Sequence, residues 1–181
     1  MKICIYCSVN NDIDPDFFQM ARELGEWAVE NHHTIVEGGV NQGLMEYVAK
    51  AVHEKGGQVI GIIPSMIIQS GRVSPNVDVE ILCDNLSERK QLMEDHADVF
   101  IALPGGIGTL DEIFTTVASA TIGYHSKKVI LYNMKGFWDA LISLLDDLQA
   151  KGFTRKDWRS QIEVANSLDD IKASLKDFCT T

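Results

Sequence analysis

The sequence lacks both the long apolar segment of a membrane protein and the leader of a secreted one. No run among its 181 residues approaches the roughly 18 apolar residues that suggest a membrane span. The first apolar run, Ile3–Cys7, is typical of a strand and has neither the basic region nor the small-residue cleavage site of a signal peptide. We therefore expect a cytoplasmic protein with no membrane partner.

Positive charge is also scarce. Lysine and arginine number 16 against 26 aspartates and glutamates, which gives a formal net charge of −10 at pH 7. Such a chain does not create the positive field that broad binding to DNA, RNA or anionic lipid requires. We expect no nucleic-acid partner, and an anionic ligand would have to be attracted by a local feature of the fold.

The four cysteines and five histidines form no ligand pattern. Cys4 and Cys7 are spaced like a CxxC motif, but residues three apart in a strand point to opposite faces and are poorly placed to share a metal or a disulfide. Cys83 and Cys179 have no partner spacing, and neither GxSxG nor HExxH occurs. We expect reduced, buried thiols, no metal site and no resident cofactor.

Short apolar runs alternate with amphipathic segments along the chain. The fully apolar run Val99–Leu103 is typical of a strand that is covered on both faces, as in a parallel sheet. The alternation predicts a single α/β domain over residues 1–181, with a doubly wound, mainly parallel sheet of six to seven strands flanked by helices. The predicted strands are Ile3–Cys7, Thr34–Val36, Gln58–Ile63, Val77–Leu82, Val99–Leu103, Lys128–Tyr132 and, more weakly, Ile162–Val164. The predicted helices are Pro15–Asn31, Gly43–Lys55, Leu86–Asp95, Thr109–Ile122, Phe137–Lys151 and Leu168–Phe178.

The least regular stretch is Pro64–Asn76, which contains two prolines and Gly71. It predicts a loop or a short extra helix. Such a segment could act as a mobile lid or serve only as a connector.

A glycine-rich turn follows the strand Val99–Leu103 and opens a helix. Its glycines let backbone N–H groups approach an anion, and the helix N-terminus adds partial positive charge, so peptide dipoles could bind phosphate in an acidic protein. The turn lacks the lysine of a Walker loop and the spacing of GxGxxG. Its residues are Pro104-Gly105-Gly106-Ile107-Gly108-Thr109.

The same segment has a purely structural interpretation. Thr109 and Glu112 have the spacing of a capping box, in which Thr109 is the N-cap and Glu112 reaches back to its N–H group. The glycines would then only make a tight turn.

Two further segments are candidates for the same site. A second glycine turn, Gly38–Gly43, also follows a strand and starts a helix, although its sequence taken alone favours a structural turn. The segment Glu88-Arg89-Lys90 places cations near the positive end of a helix, against its dipole, which favours a functional constraint. Arg89 and Lys90 could reach a ligand anion, or Glu88 and Lys90 could simply face water.

These segments together resemble the LOG (Lonely Guy) family of cytokinin riboside 5′-monophosphate phosphoribohydrolases and their bacterial relatives. The likeness extends from about Ile3 to Gly152. It consists of the family's PGGxGTxxE at Pro104–Glu112, its ERK at Glu88–Lys90, its GLM at Gly43–Met45 and, more loosely, its GIH at Gly123–His125.

The resemblance implies a Rossmann-like fold, a homodimer and no cofactor. It implies hydrolysis of the N-glycosidic bond of a purine nucleoside 5′-monophosphate, N6-modified adenine included, with release of free base and ribose 5-phosphate. The family's catalytic arginine and glutamate fall on Arg89 and Glu112. Its phosphate loop falls on Gly105, Gly106, Gly108 and Thr109, and further substrate contacts are expected at Lys90, Ile107, Asp111 and Gly39.

The chain departs from the family pattern outside these motifs. Ser8-Val9-Asn10 replaces Gly-Ser-Ser, Val40 replaces the third glycine of GGG, and Glu46 replaces a glycine. Ser87 stands where a histidine often precedes ERK, and Ala118-Ser119 replaces Thr-Trp. Because of these changes, the sequence does not predict which base the protein prefers.

Two other functions are considered. Related folds include molybdenum-cofactor carriers, so a non-catalytic nucleotide or cofactor carrier is the alternative; a carrier has no use for a carboxylate such as Glu112 facing a ribose. Some relatives bear a lysine decarboxylase label, but nothing here marks a Schiff-base lysine with cofactor partners.

Overall fold

The computed structural model describes residues 1–176. The predicted end of the last helix at Phe178, and Cys179, lie outside the described residues. The strands are β1 (Lys2–Tyr6), β2 (Thr34–Glu37), β3 (Val59–Pro64), β4 (Val79–Cys83), β5 (Val99–Ala102), β6 (Val129–Tyr132) and β7 (Ile162–Ala165). The helices are α1 (Pro15–Glu30), α2 (Gly43–Glu54), α3 (Ser65–Gln69), α4 (Leu86–His96), α5 (Ile107–Thr121), α6 (Asp139–Ala150) and α7 (Leu168–Lys176).

The seven strands form one sheet in the order β4-β3-β2-β1-β5-β6-β7, and each neighbouring pair is parallel. This confirms the predicted doubly wound α/β architecture. In β1, Ile3 lies opposite Ile35 of β2 on one side and Val99 of β5 on the other. The chain therefore winds outward in two directions from β1, and the carboxyl ends of β1 and β5 form the topological switch point where such sheets bind ligands.

The core consists of two apolar layers, one on each face of the sheet. Ile3 and Ile5 of β1 belong to the layer that packs against α1, α2 and α7, whereas Cys4 and Tyr6 belong to the layer against α4, α5 and α6. Cys7 lies in the first layer, so Cys4 and Cys7 face opposite ways, as predicted. Among the described residues the cysteines are free thiols and buried.

One further predicted element agrees with the structure, and another begins at a different residue. The segment Pro64–Asn76 contains the short helix α3, which is one of the two predicted outcomes. Helix α5 begins at Ile107 and not at Thr109, a difference that changes the interpretation of the glycine turn. Within the described part of the chain, no helix is both long enough and apolar enough to cross a membrane.

Candidate active site

A pocket of about 360 Å³ opens at the switch point between β1 and β5. Its walls come from the loop after β1, the segment after β2, α3, the first turn of α4 and the glycine turn before α5. The lining residues are Cys7, Ser8, Val9, Asn10, Val40, Met45, Pro64, Ile67, Leu86, Arg89, Gly106, Gly108, Thr109 and Glu112.

The glycine turn presents a bare helix N-terminus to this pocket. The first intrahelical bond of α5 runs from the N–H of Leu110 to the carbonyl of Gly106, at 3.0 Å, and no side chain caps the helix. The N–H groups of Ile107, Gly108 and Thr109 therefore have no acceptor within the helix. A Cβ atom on Gly106 or Gly108 would meet no protein atom within 4 Å, so open space lies beside these donors.

The capping-box interpretation is wrong. Because α5 begins at Ile107, Thr109 is the third residue of the helix and cannot be its N-cap. The Glu112 carboxylate does not reach back to Thr109; it lies against the guanidinium of Arg89. Thr109 instead packs on Gly105, where a Cβ atom would come within 2.0 Å of Thr109 Oγ1. The glycine at 105 is required by packing, and those at 106 and 108 are not.

Arg89 and Glu112 meet at the pocket, although 22 residues separate them in the chain. Arg89 Nη1 lies 3.3 Å from Glu112 Oε1, and the two side chains are only 15% and 9% exposed. Arg89 Nε donates to the carbonyl of Ile62 at 3.3 Å. The guanidinium passes directly over Gly38, where a Cβ atom would lie 1.7 Å from Nη2. The second glycine turn thus leaves room for Arg89.

The surroundings of Glu112 shift the pKa of its carboxyl group to near neutral pH. Burial raises the pKa of its carboxyl to about 7; Arg89 opposes this shift, and the neighbouring charge of Asp111 adds to it. Near neutrality the carboxyl can therefore both hold and release a proton.

The predicted contacts Lys90 and Asp111 bind each other outside the pocket lining. Lys90 Nζ donates to both carboxylate oxygens of Asp111 at 2.8 Å and to Thr115 Oγ1 at 3.0 Å, joining α4 to α5. Lys90 is thus held between the two helices, which corrects that alternative for Lys90, whereas Glu88 is exposed. Ile107 is 82% exposed, and the carbonyl of Gly39 accepts from the N–H of Ser74. Direct substrate contacts at these four predicted positions stay predictions.

Helix α4 begins with two polar caps that offset its charge pattern. Asn85 Oδ1 accepts from the N–H groups of Ser87 and Glu88, and Glu88 Oε2 accepts from the N–H of Asp84 at 2.7 Å. The carboxylate of Glu88 also lies at the positive end of the helix dipole. The helix can therefore begin stably while it carries Arg89 and Lys90 in its first turns.

The segment after β3 forms a wall of the pocket and is fastened to the second glycine turn. Pro64 and Ile67 line the pocket. The N–H of Asn41 donates to the carbonyl of Arg72 at 2.9 Å, next to an antiparallel bridge between Val40 and Val73. The Pro64–Asn76 segment is thus tied to the rest of the site near its carboxyl end; whether it moves as a lid stays a prediction.

Most positions that depart from the family pattern lie in or behind this pocket. The Ser8–Asn10 loop lines it and is fixed from both sides, because the Ser8 N–H donates to the Pro104 carbonyl and the Leu44 N–H donates to the Ser8 carbonyl. Glu46 Oε1 accepts from Asn76 Nδ2 at 2.7 Å, behind the wall. Residues 118–119 are not in the pocket lining.

One charged residue of this region is absent from the predicted set. Glu37, the last residue of β2, is fully buried, and neither carboxylate oxygen has a hydrogen-bond partner among the described residues. Burial and the charge of Glu46 raise the pKa of Glu37 well above its ordinary value, and Arg89 only partly opposes them. A glutamate that ends an otherwise apolar strand, directly before a glycine turn, is the sequence signal that could have found it.

The fold and the site define a class: Rossmann-like α/β proteins that present an uncapped, glycine-flanked helix N-terminus and a buried Arg–Glu pair at the switch point. Solved structures support this fold. The chain superposes on the molybdenum cofactor carrier protein of Chlamydomonas reinhardtii with a TM-score of 0.77 at 23% identity, covering 99% of this chain and 98% of that one. It superposes on the molybdenum cofactor binding protein of Rippkaea orientalis with a TM-score of 0.75 at 24% identity, covering 99% and 97%.

Sequence comparison gives the family. The model of a family described as "Possible lysine decarboxylase" matches residues 45–175. The chain is 36% identical to the cytokinin riboside 5′-monophosphate phosphoribohydrolase LOG of Oryza sativa subsp. japonica, over 98% of this chain and 73% of that protein. It is 33% identical to the cytokinin riboside 5′-monophosphate phosphoribohydrolase LOG3 of Arabidopsis thaliana, over 98% of this chain and 82% of that protein. The chain belongs to this LOG family.

Proposed function

We propose that this protein is a phosphoribohydrolase that cleaves the N-glycosidic bond of a purine nucleoside 5′-monophosphate, N6-modified adenine nucleotides included. The observation that carries the proposal is the buried Arg89–Glu112 pair, 3.3 Å apart, beside the bare N-terminus of α5. Curated relatives bear the name of this activity on cytokinin riboside 5′-monophosphates.

The 5′-phosphate binds at the N-terminus of α5. The free N–H groups of the first turn and the helix dipole stabilise an anion there, and Gly106 and Gly108 leave the space that it needs. Gly105 and Thr109 hold the turn in shape by their mutual packing. Because the protein is acidic overall, this local donor set is what attracts the phosphate.

A phosphate in this place brings the ribose close to Glu112, in the next turn of α5. As the bond between C1′ and the purine nitrogen breaks, its electron pair leaves with the base and positive charge develops on the ribose. The Glu112 carboxylate stabilises that charge and orients the water whose oxygen bonds to C1′, and the proton that this water loses passes through Glu112 to the departing base. Arg89 fixes the Glu112 carboxylate and contacts the phosphate or the departing base. Lys90, Asp111, Ile107 and Gly39 border this arrangement.

The base occupies the part of the pocket away from α5. Ser8, Asn10 and Val40, which depart from the family pattern, line the pocket together with Ile67, so these positions select the base. We also infer that the protein is a cytoplasmic homodimer.

The test is chromatography after incubation with AMP and with a panel of other nucleoside monophosphates, N6-modified AMP included. Release of free base and ribose 5-phosphate is expected. Intact nucleotides after prolonged incubation, together with tight binding, would favour the carrier alternative.

The variant that tests the role of Glu112 is Glu112→Gln, which keeps the size of the side chain and removes its charge. Because capping is excluded, the variant reports on the pocket alone. Turnover should fall about a hundredfold or more, in line with lost electrostatic stabilisation, while AMP still binds. Near-normal base release by this variant would remove Glu112 from the catalytic assignment.

A further inference from the structure

Helix α4 carries Arg89, yet apolar packing holds it only weakly. Its buried residues are Met93 and Glu94, and Met93 is therefore its one fully buried apolar side chain. The leucine at its start, Leu86, is 62% exposed. The orientation of α4 must therefore depend on polar contacts.

The contacts at the start of α4 belong to the proposed site. Arg89 bonds to Glu112 and to the Ile62 carbonyl, and Lys90 bonds to Asp111 and Thr115. A bound nucleotide would compete for the Arg89 guanidinium. Contacts that fix the helix independently of substrate must lie elsewhere.

Such contacts lie at the other end of the helix, on the segment that follows α5. Glu94 Oε2 is 3.9 Å from His125 Nε2, and the two side chains are 7% and 10% exposed. Lys127 Nζ donates to the Glu94 carbonyl at 2.6 Å. The ring of His125 also lies beside Phe100 of β5, with the ring centroids 6.2 Å apart. These contacts join α4 to the segment that follows α5, the helix that carries Glu112.

The hydrogen bonds of His125 determine its tautomer. The N–H of Lys127 donates to His125 Nδ1 at 3.2 Å, so Nδ1 is an acceptor and the neutral ring carries its proton on Nε2. Nε2 faces Glu94 Oε2 at 3.9 Å, beyond hydrogen-bond distance, and has no hydrogen-bond partner among the described residues. Burial lowers the pKa of His125, with Glu94 opposing and Lys127 adding to the shift, which favours this neutral form.

We propose that Glu94 and His125 are positioning residues that hold α4 so that Arg89 stays against Glu112. This inference rests on the proposed function, because it assigns the pair a role in that reaction. Neither residue lines the pocket, so the proposed reaction depends on two residues outside the pocket lining.

Loss of the contact between Glu94 and His125 should change the pKa of Glu112, which the loss of a merely stabilising contact would not do. Arg89 lowers the pKa of Glu112, against the effect of burial. If α4 loosens and Arg89 withdraws, the pKa of Glu112 rises. The acid limb of the pH profile of kcat/KM should then move to higher pH, with a fall in kcat.

The experiment compares Glu94→Leu, Glu94→Gln and Asp95→Leu. Glu94→Leu keeps a side chain of similar volume and removes the carboxylate that faces His125. It should lower kcat about tenfold or more, as expected for a misplaced catalytic group. Glu94→Gln retains an acceptor for Nε2–H and should restore most of the activity. Asp95→Leu makes the same replacement at the exposed neighbouring position and should match the wild type. Wild-type kcat and an unshifted acid limb in Glu94→Leu would overturn the inference.

Two further measurements separate this inference from the proposed function. If Glu94→Leu does not fold, His125→Asn replaces it, since the asparagine oxygen can accept from Lys127 while the group facing Glu94 is lost. If the wild type releases base from no nucleotide, the proposed function fails. The positioning role is then judged by the pKa of Glu112, measured by carbon NMR in the wild type and the variant; an unchanged value overturns it.

Discussion

Arg89 Nη1 lies 3.3 Å from Glu112 Oε1, and this contact joins the two helices that flank the pocket. The arginine reaches the glutamate by crossing the backbone of Gly38, so three separate segments of the chain meet at one point. The contact keeps a buried carboxylate beside a cation at the mouth of an anion-binding turn.

The first prediction concerns the pH dependence of activity. Burial raises the pKa of Glu112 to about 7, so the carboxyl is protonated below that pH and ionised above it. If the carboxylate is the active form, kcat/KM should rise with pH through about 7 and level off above. Measurement of initial rates across this range checks the limb. A rate that is flat from mildly acid to mildly basic pH would contradict the assignment.

The second prediction separates the glycines of the turn by their roles. A Cβ atom on Gly108 meets nothing, so Gly108→Ala should leave the free energy of unfolding unchanged or raise it by up to about 1 kcal/mol. The same methyl group lies beside the phosphate donors, so AMP should bind about tenfold more weakly or worse, as for the loss of a charge-assisted hydrogen bond.

Gly105→Ala is the matched comparison. Its Cβ atom would lie 2.0 Å from Thr109 Oγ1, so this variant should lose roughly 1–3 kcal/mol of stability through overpacking. Urea unfolding and calorimetric titration with AMP measure both effects. Equal AMP affinities of Gly108→Ala and the wild type would remove this end of the helix from the phosphate site.

Periodicity of apolar residues is enough to predict the seven strands and their parallel arrangement. Runs such as Val99–Leu103 are covered on both faces, and their wholly apolar local composition is enough to predict this burial. The start of α5 is two residues off, because Ile107 and Gly108 are poor helix formers while Thr109 is a good N-cap. Here the tertiary structure overrides local preference.

The candidate site could be predicted only in part, because its contacts join distant segments. The motifs around Arg89 and Glu112 are visible in the sequence, but their pairing, and the use of Gly38 as the space for Arg89, depend on the fold. The mutual pairing of Lys90 and Asp111 is equally non-local. The missed residue Glu37 ends an apolar strand in the sequence, but its complete burial and the absence of a hydrogen-bond partner among the described residues are visible only in the fold.

The third prediction is that tight binding requires the 5′-phosphate. The free N–H groups of the first turn of α5 and the Arg89 guanidinium are the cationic and dipolar features of the pocket. Charge-assisted contacts contribute roughly 1.5–3 kcal/mol each, so adenosine should bind at least about tenfold more weakly than AMP. Calorimetry with both ligands, on Glu112→Gln to prevent turnover, checks this. Equal affinities would contradict the phosphate site.

The fourth prediction is a dimer in solution. Phe114 and Ile122, on and just beyond α5, are 41% and 64% exposed, and Tyr124 is 79% exposed. Several exposed apolar side chains so close to one another in the chain favour an interaction site. Light scattering at micromolar concentration should show two chains, and Ile122→Asp should shift the population toward one. Leu82→Asp, on the edge strand β4, is the control; a wild type of one chain's mass only would contradict the prediction.

The last prediction concerns the buried charge of Glu37. Because burial raises the pKa of Glu37 in the folded state, folding takes up a proton there. The stability that this proton provides is fully present below the pKa of the unfolded chain and is lost as pH rises toward the folded value. Glu112 acts in the same direction, since its folded pKa is about 7. The wild type should therefore lose stability between about pH 5 and pH 8.

An unpaired buried ion costs several kcal/mol, so Glu37→Gln should reduce this loss by roughly 1 kcal/mol or more, measured by urea unfolding at both pH values. Glu80→Gln, at an exposed position of β4, should not reduce it. If Glu37→Gln and the wild type lose stability equally, the pKa of Glu37 is not raised in the folded protein, which means that a counter-charge balances the burial of its carboxylate.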